Sequence, residues 1–83
     1  MTVFEIAAKM FEQFGKAITE VTVQSIGNGD YKLVDIDINN SEVPRLCDMW
    51  DQLETWEREL HSLDEDMWYF EDEDYNRIRI RER

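Results

Sequence analysis

Apolar residues recur over the first eighteen positions at the spacing of one helix face. Val3, Ile6, Ala7, Met10, Phe14, Ala17 and Ile18 form that stripe, and Phe4 and Phe11 widen it. Thr2 and Glu5 stand directly before the run as a T-x-x-E pair. In such a pair each side chain takes a backbone N–H that the start of a helix leaves free. The pattern predicts a helix over residues 3–18, with Gly15 weakening its last turn.

The period then drops to two. Val21 and Val23 alternate with Thr22 and Gln24. Gly27-Asn28-Gly29-Asp30 reads as a hairpin turn, because Gly and Asn reach positive φ at little cost. The return strand, about Tyr31–Asn39, places Val34, Ile36 and Ile38 on one face and turns Asp35 and Asp37 toward water.

Helical spacing returns over residues 42–63. Leu46, Met49, Leu53, Trp56, Leu60 and Leu63 step by three and four, with Val43, Cys47 and Trp50 alongside. Asn40 or Ser41 can cap this helix, and Pro44 fits its first turn, where a missing N–H costs little. A second hairpin follows: an aromatic strand Met67-Trp68-Tyr69-Phe70, a loop at Glu71–Asp74, and a strand Tyr75–Arg81 alternating arginine with isoleucine. The order α-β-β-α-β-β predicts an α+β domain spanning residues 1–83. It has a four-stranded, mostly antiparallel sheet with two helices packed on one face.

Composition bears on this picture mainly through charge. Twenty acids face nine bases, a net charge of −11. The first 76 residues carry nineteen acids and five bases, whereas residues 77–83 carry four arginines and one glutamate. An acidic body repels nucleic acid and anionic membranes and attracts basic surfaces, and a basic footprint for direct nucleic-acid contact is missing over most of the chain, the Arg77/Arg79/Arg81 stripe being the one candidate. The lone Cys47 cannot form an internal disulfide, and no signal peptide or apolar span is read in the chain. A cytoplasmic setting is expected.

The acids cluster. Asp64, Glu65 and Asp66 precede the aromatic strand, and Glu71, Asp72, Glu73 and Asp74 follow it. Asp48, Asp51 and Glu54, continued by Glu57, step along the second helix. Residues 42–74 hold thirteen acids against two bases. This density begins to approach that of a nucleic-acid backbone, about one charge per 1.7 Å of duplex axis. Trp68 and Tyr69 point to opposite faces, so one of them is expected to be exposed among the acids as an interface anchor. The candidate partner-binding residues are therefore Asp64, Glu65, Asp66, Trp68, Tyr69, Glu71, Asp72, Glu73, Asp74, Asp48, Asp51 and Glu54. The four loop acids, Glu71–Asp74, are expected to be replaceable without unfolding.

Other features have simpler readings. Arg77, Arg79 and Arg81 are expected to pair across the sheet with Asp35 and Asp37. Glu54 and Arg58 form an i,i+4 pair on the second helix. Asp35–Asn39 begins like a calcium loop but has Asn40 at its sixth position and Leu46 at its twelfth, so no metal site is expected. His61 is alone, and Cys47 on the apolar stripe is expected to be a buried, inert thiol. No catalytic residues and no cofactor are assigned.

In size and acidity the chain is similar to phage-encoded antagonists such as anti-CRISPR, antirestriction and uracil-glycosylase inhibitor proteins. The similarity is one of composition and carries no motif. It implies a non-enzymatic inhibitor that holds a basic protein surface, a nucleic-acid-binding protein or nuclease, by imitating phosphates. The alternatives are an immunity or antitoxin protein neutralising a basic nuclease toxin, and a dimeric adaptor module. Either a monomer or a homodimer fits.

Overall fold

The computed structural model describes residues 1–28, 30–39, 45–56 and 67–83. Thr2 opens helix α1 (Val3–Phe14) with both halves of the predicted capping box in place. The Thr2 hydroxyl accepts from Glu5 N–H at 3.2 Å, and the Glu5 carboxylate accepts from Thr2 N–H at 3.1 Å. The helix is shorter than the predicted 3–18. It closes at Phe14 into a 3₁₀ turn, Gly15–Ala17, and Ile18 already belongs to strand β1 (Ile18–Ile26). Ile18, Thr19, Val21, Thr22 and Val23 are β-branched, and branched side chains lose less freedom in a strand than against a helical turn.

Gly27 turns the chain at φ +62, a conformation costly to any residue with a Cβ. Strand β2 (Tyr31–Ile38) returns antiparallel to β1. Helix α2 is described from Leu46 to Trp56. Asp48 in its first turn accepts from Arg45 N–H at 2.9 Å, satisfying a free donor of the helix start. The predicted caps Asn40 and Ser41, Pro44, and the stretch 57–63 lie outside the described residues. Strands β3 (Met67–Glu71) and β4 (Arg77–Glu82) form the second hairpin.

The sheet order is β1-β2-β4-β3. Both hairpins are antiparallel, and they join through a parallel pairing of β2 with β4, so the sheet is mixed. Register defines two faces. One carries the rows Val23–Val34–Ile78–Phe70 and Val21–Ile36–Ile80–Trp68; the other carries Gln24–Leu33–Arg77–Glu71, Thr22–Asp35–Arg79–Tyr69 and Glu20–Asp37–Arg81–Met67. Both helices pack on the first face. Val3, Ile6 and Met10 of α1 and Leu46, Met49 and Leu53 of α2 are buried in one core with Val34, Ile36, Ile38, Trp68, Phe70, Ile78 and Ile80.

Four expectations fail on burial. Phe4 and Phe11 do not widen the core stripe; both are about half exposed, because Val3, Ile6 and Met10, along about two turns, form the face of α1 turned to the sheet. Cys47 is exposed, one position off the buried Leu46. Asp35 and Asp37 do not face water: they are 5% and 7% accessible, roofed by the long arginine side chains of β4. Trp68 is fully buried.

Candidate binding surface

The loop from Glu71 to Asn76 is built around Asp72. One Asp72 carboxylate oxygen accepts from the N–H groups of Asp74 at 2.9 Å and Asn76 at 3.0 Å. The other accepts from Val3 N–H at 3.0 Å, sixty-nine residues away in sequence. Asp72 therefore holds the N-terminus of α1, where a negative charge also meets the positive end of the helix dipole. The backbone closes with Asp72 N–H to Asn76 C=O at 2.9 Å and Tyr75 N–H to Asp72 C=O at 3.1 Å. That closure requires φ +64 at Tyr75, a strained position for a residue with a side chain. Asn76 Oδ1 accepts from Lys32 N–H at 2.9 Å and ties the loop to the start of β2.

This corrects part of the sequence reading. Asp72 is 7% accessible and its oxygens are occupied, so it braces the fold and presents no charge to a partner. Glu73 and Asp74 are exposed, and Glu71 is half-buried beside Arg77 at 3.6 Å. Glu5 of the capping box faces the same space. Met1, Thr2, Glu5, Phe70 and the acids 71–74 line an open cleft of about 370 Å³ at the start of α1. Sequence reasoning missed Glu5 here, because only the Asp72–Val3 bond brings α1 to this loop. Hydrogen bonds from the Thr2 backbone and hydroxyl hold the Glu5 carboxyl below its ordinary range.

Asp48, Asp51 and Glu54 are exposed on α2. Glu54 accepts from the Trp50 indole N–H at 2.8 Å, which fixes its carboxylate on the helix surface. Asp64, Glu65, Asp66 and the Glu54 partner Arg58 lie outside the described residues.

The aromatic anchor is not where the sequence suggested. Trp68 stacks on Phe70 inside the core, with ring centroids 6.2 Å apart, and its indole N–H is buried with no hydrogen-bond partner among the described residues. Tyr69 is half-buried on the opposite face, where burial pushes its hydroxyl pKa up. The exposed aromatics beside the acid loop are Tyr75 and Tyr31, edge to face at 5.7 Å. Tyr75 was legible as the residue directly after the acid run. Its pairing with Tyr31 was not, because it depends on β2 and β4 starting side by side.

The second sheet face consumes the arginines. Arg79 reaches Asp35 at 2.5 Å and Arg81 reaches it at 3.1 Å. Arg81 and Arg83 reach Asp37 at 3.3 and 3.6 Å. The hydrogen bond to Asp35 is the main reason the Arg79 pKa rises. Arg77 pairs with Glu71, and Arg45 with Glu82 at 2.6 Å. The expected pairing of the arginine stripe with Asp35 and Asp37 is thus present for Arg79 and Arg81, while Arg77 turns to β3. Each of the five described arginines pairs with one or more of the acids Asp35, Asp37, Glu71 and Glu82.

Among the described residues no group of three or more His, Cys, Asp or Glu side chains is arranged to hold a metal ion, and no helix is long and apolar enough to cross a membrane. Compared with protein-family models, curated proteins and solved structures, the chain matches none at a significant level.

Proposed function

We propose that this protein is a non-enzymatic, acidic inhibitor that occupies the phosphate-binding groove of a nucleic-acid-binding protein or nuclease, acting in the cytoplasm. The observation that supports this reading is the allocation of arginine. The described arginines pair with Asp35, Asp37, Glu71 and Glu82, while among the described residues Glu73, Asp74, Asp48, Asp51 and Glu54 are exposed on a chain of net charge −11. The acids that would meet a partner are those the fold does not neutralise with arginine on its own sheet. Tyr75 and Tyr31 supply flat, rigid area beside them, of the kind that carries binding energy at interfaces. Opposite charge steers encounter, so association is fast at low salt and weakens as salt screens it.

The test spares Asp72, which the fold needs. The triple variant Glu71→Lys, Glu73→Lys, Asp74→Lys changes the loop charge from acidic to basic and leaves the brace intact. Wild-type protein is immobilised, cell lysate is passed at low salt, and captured proteins are released at high salt. Each is then assayed for duplex DNA or RNA binding with and without inhibitor. The wild type is expected to displace nucleic acid from a captured protein, and the triple variant is expected to fail while keeping its circular dichroism spectrum. Captured proteins whose nucleic-acid binding the wild type leaves untouched, or equal competition by the triple variant, would refute the reading.

A further inference from the structure

We propose that the outer edge of β1 pairs with the same edge of a second copy of this chain, joining two four-stranded sheets into one of eight strands. The inference stands on the sheet and is independent of the inhibitor reading. Among the described residues β1 terminates the sheet on its side, and it runs nine residues, Ile18–Ile26. Along it, alternate N–H and C=O groups point away from β2. Monomeric proteins guard such an edge with lysine, proline or short length. β1 has neither residue, and Glu20 is its single charge. Its one irregularity, a bulge between Ile18 and Glu20, lies at the start and leaves the register from Glu20 to Ile26 unbroken. The opposite edge, β3, has only five residues and carries Glu71.

The side chains suit self-pairing. Val23 is 58% exposed on the helix-bearing face, and the main contacts of α1 with the sheet are to β2 and β4. Placing a two-fold axis at Thr22 in an antiparallel pair sets Val21 against Val23 of the copy, twice. It sets Thr22 against Thr22, and Glu20 against Gln24. No like charges are opposed, and the branched and threonine pairs are those that stabilise cross-strand contacts.

Net charge decides which copy-to-copy contact is tolerable. Two chains of −11 repel. With order β1-β2-β4-β3, joining the β1 edges places the two β3 strands seven strand steps apart, about 34 Å laterally at roughly 4.8 Å per step. That is about four Debye lengths at physiological salt, so the two acid loops scarcely sense each other. A single strand edge covers less than the roughly 800 Å² per partner of a standard interface. The dimer is accordingly weak and forms only at high protein concentration.

Sedimentation equilibrium of the full chain from 10 μM to 1 mM tests this. The wild type is expected to shift from monomer to dimer, and Val23→Lys to raise Kd at least tenfold with an unchanged circular dichroism spectrum. In a Cys47→Ser background, Thr22→Cys is expected to form an interchain disulfide on mild oxidation and Phe11→Cys is not, because only the first lies on the seam. A wild type that stays monomeric to 1 mM overturns the proposal. So does a dimer that cross-links through Phe11→Cys in place of Thr22→Cys, an outcome readable even if Val23→Lys disturbs folding.

Discussion

Asp72→Ala is the most informative single change, because it separates an acid that builds the fold from acids that decorate it. The substitution removes the acceptor of three backbone N–H groups: Val3, Asp74 and Asn76. Val3 is fully buried, and a stranded buried donor costs about 1–3 kcal/mol. Loss of negative charge at the helix start adds about 0.3–1 kcal/mol. The two loop bonds are partly wet and add a few tenths to about 1 kcal/mol together. The sum is about 3 kcal/mol, a large share of the 5–15 kcal/mol typical of small proteins. For a chain of this size that lowers Tm by about 12–24 °C. Thermal and urea melts followed by circular dichroism measure it directly. Asp72→Asn keeps one acceptor oxygen and is expected to lose about half as much. Glu73→Ala and Asp74→Ala, one and two positions away, are expected to stay within about 0.5 kcal/mol of wild type. An Asp72→Ala protein within about 1 kcal/mol of wild type would show that Asp72 does not hold α1 to the loop.

Three further outcomes are expected. Asp35→Ala leaves Arg79 without its buried acceptor, while Arg81 keeps Asp37, and costs about 2–3 kcal/mol. The Asp35→Ala/Arg79→Ala double variant costs less than the sum of the two single changes, and urea melts read that coupling. Trp68→Ala opens the core and costs about 3–5 kcal/mol, whereas Trp68→Phe costs under about 1.5, because it removes an indole N–H that has no partner among the described residues; equal losses by melt would contradict the orphaned donor. The lowered Glu5 pKa makes its capping contribution fully present above the ordinary carboxylate value of 4.5 and lost as pH falls through the lower folded value, so Glu5→Gln is expected to flatten the stability–pH curve below about pH 4.5 and leave its slope near neutrality unchanged.

The capping box at Thr2 and Glu5, the turn at Gly27 and the alternation in β2 and β4 were readable because each depends on a few adjacent residues. The Asp–Arg pairing was readable for the same reason. Two strands of period two, one acidic and one basic on the same face, meet in either direction. Direction itself was not readable. Ile78 and Ile80 pack against Val34 and Ile36 equally well whether β4 runs with β2 or against it, so the parallel join of the two hairpins leaves no mark on the pattern. Burial of Asp35 and Asp37 also escaped, because it is set by how far Arg79, Arg81 and Arg83 reach over the sheet. Alternation placed Trp68 and Tyr69 on opposite faces but could not choose the inner one; the register of β3 on β4, Trp68 opposite Ile80, made the choice. Asp72 looked like one acid among four, and only its distant bond to Val3 sets it apart.

The parallel join has a consequence for the order of assembly. β4 lies between β2, finished at Ile38, and β3, so the middle of the sheet is made from segments about 44 positions apart along the chain. While the polypeptide emerges, residues 1–39 can form a helix and a hairpin, but α1 alone covers Val34 and Ile36 only in part, because their strand neighbours Ile78 and Ile80 do not yet exist. Closing so long a loop precedes any gain from the contacts it brings, which slows maturation relative to folds made of sequential neighbours. Until β4 docks, two adhesive strand edges and a greasy floor stand open, and that interval is when chaperones or proteases compete for the nascent protein.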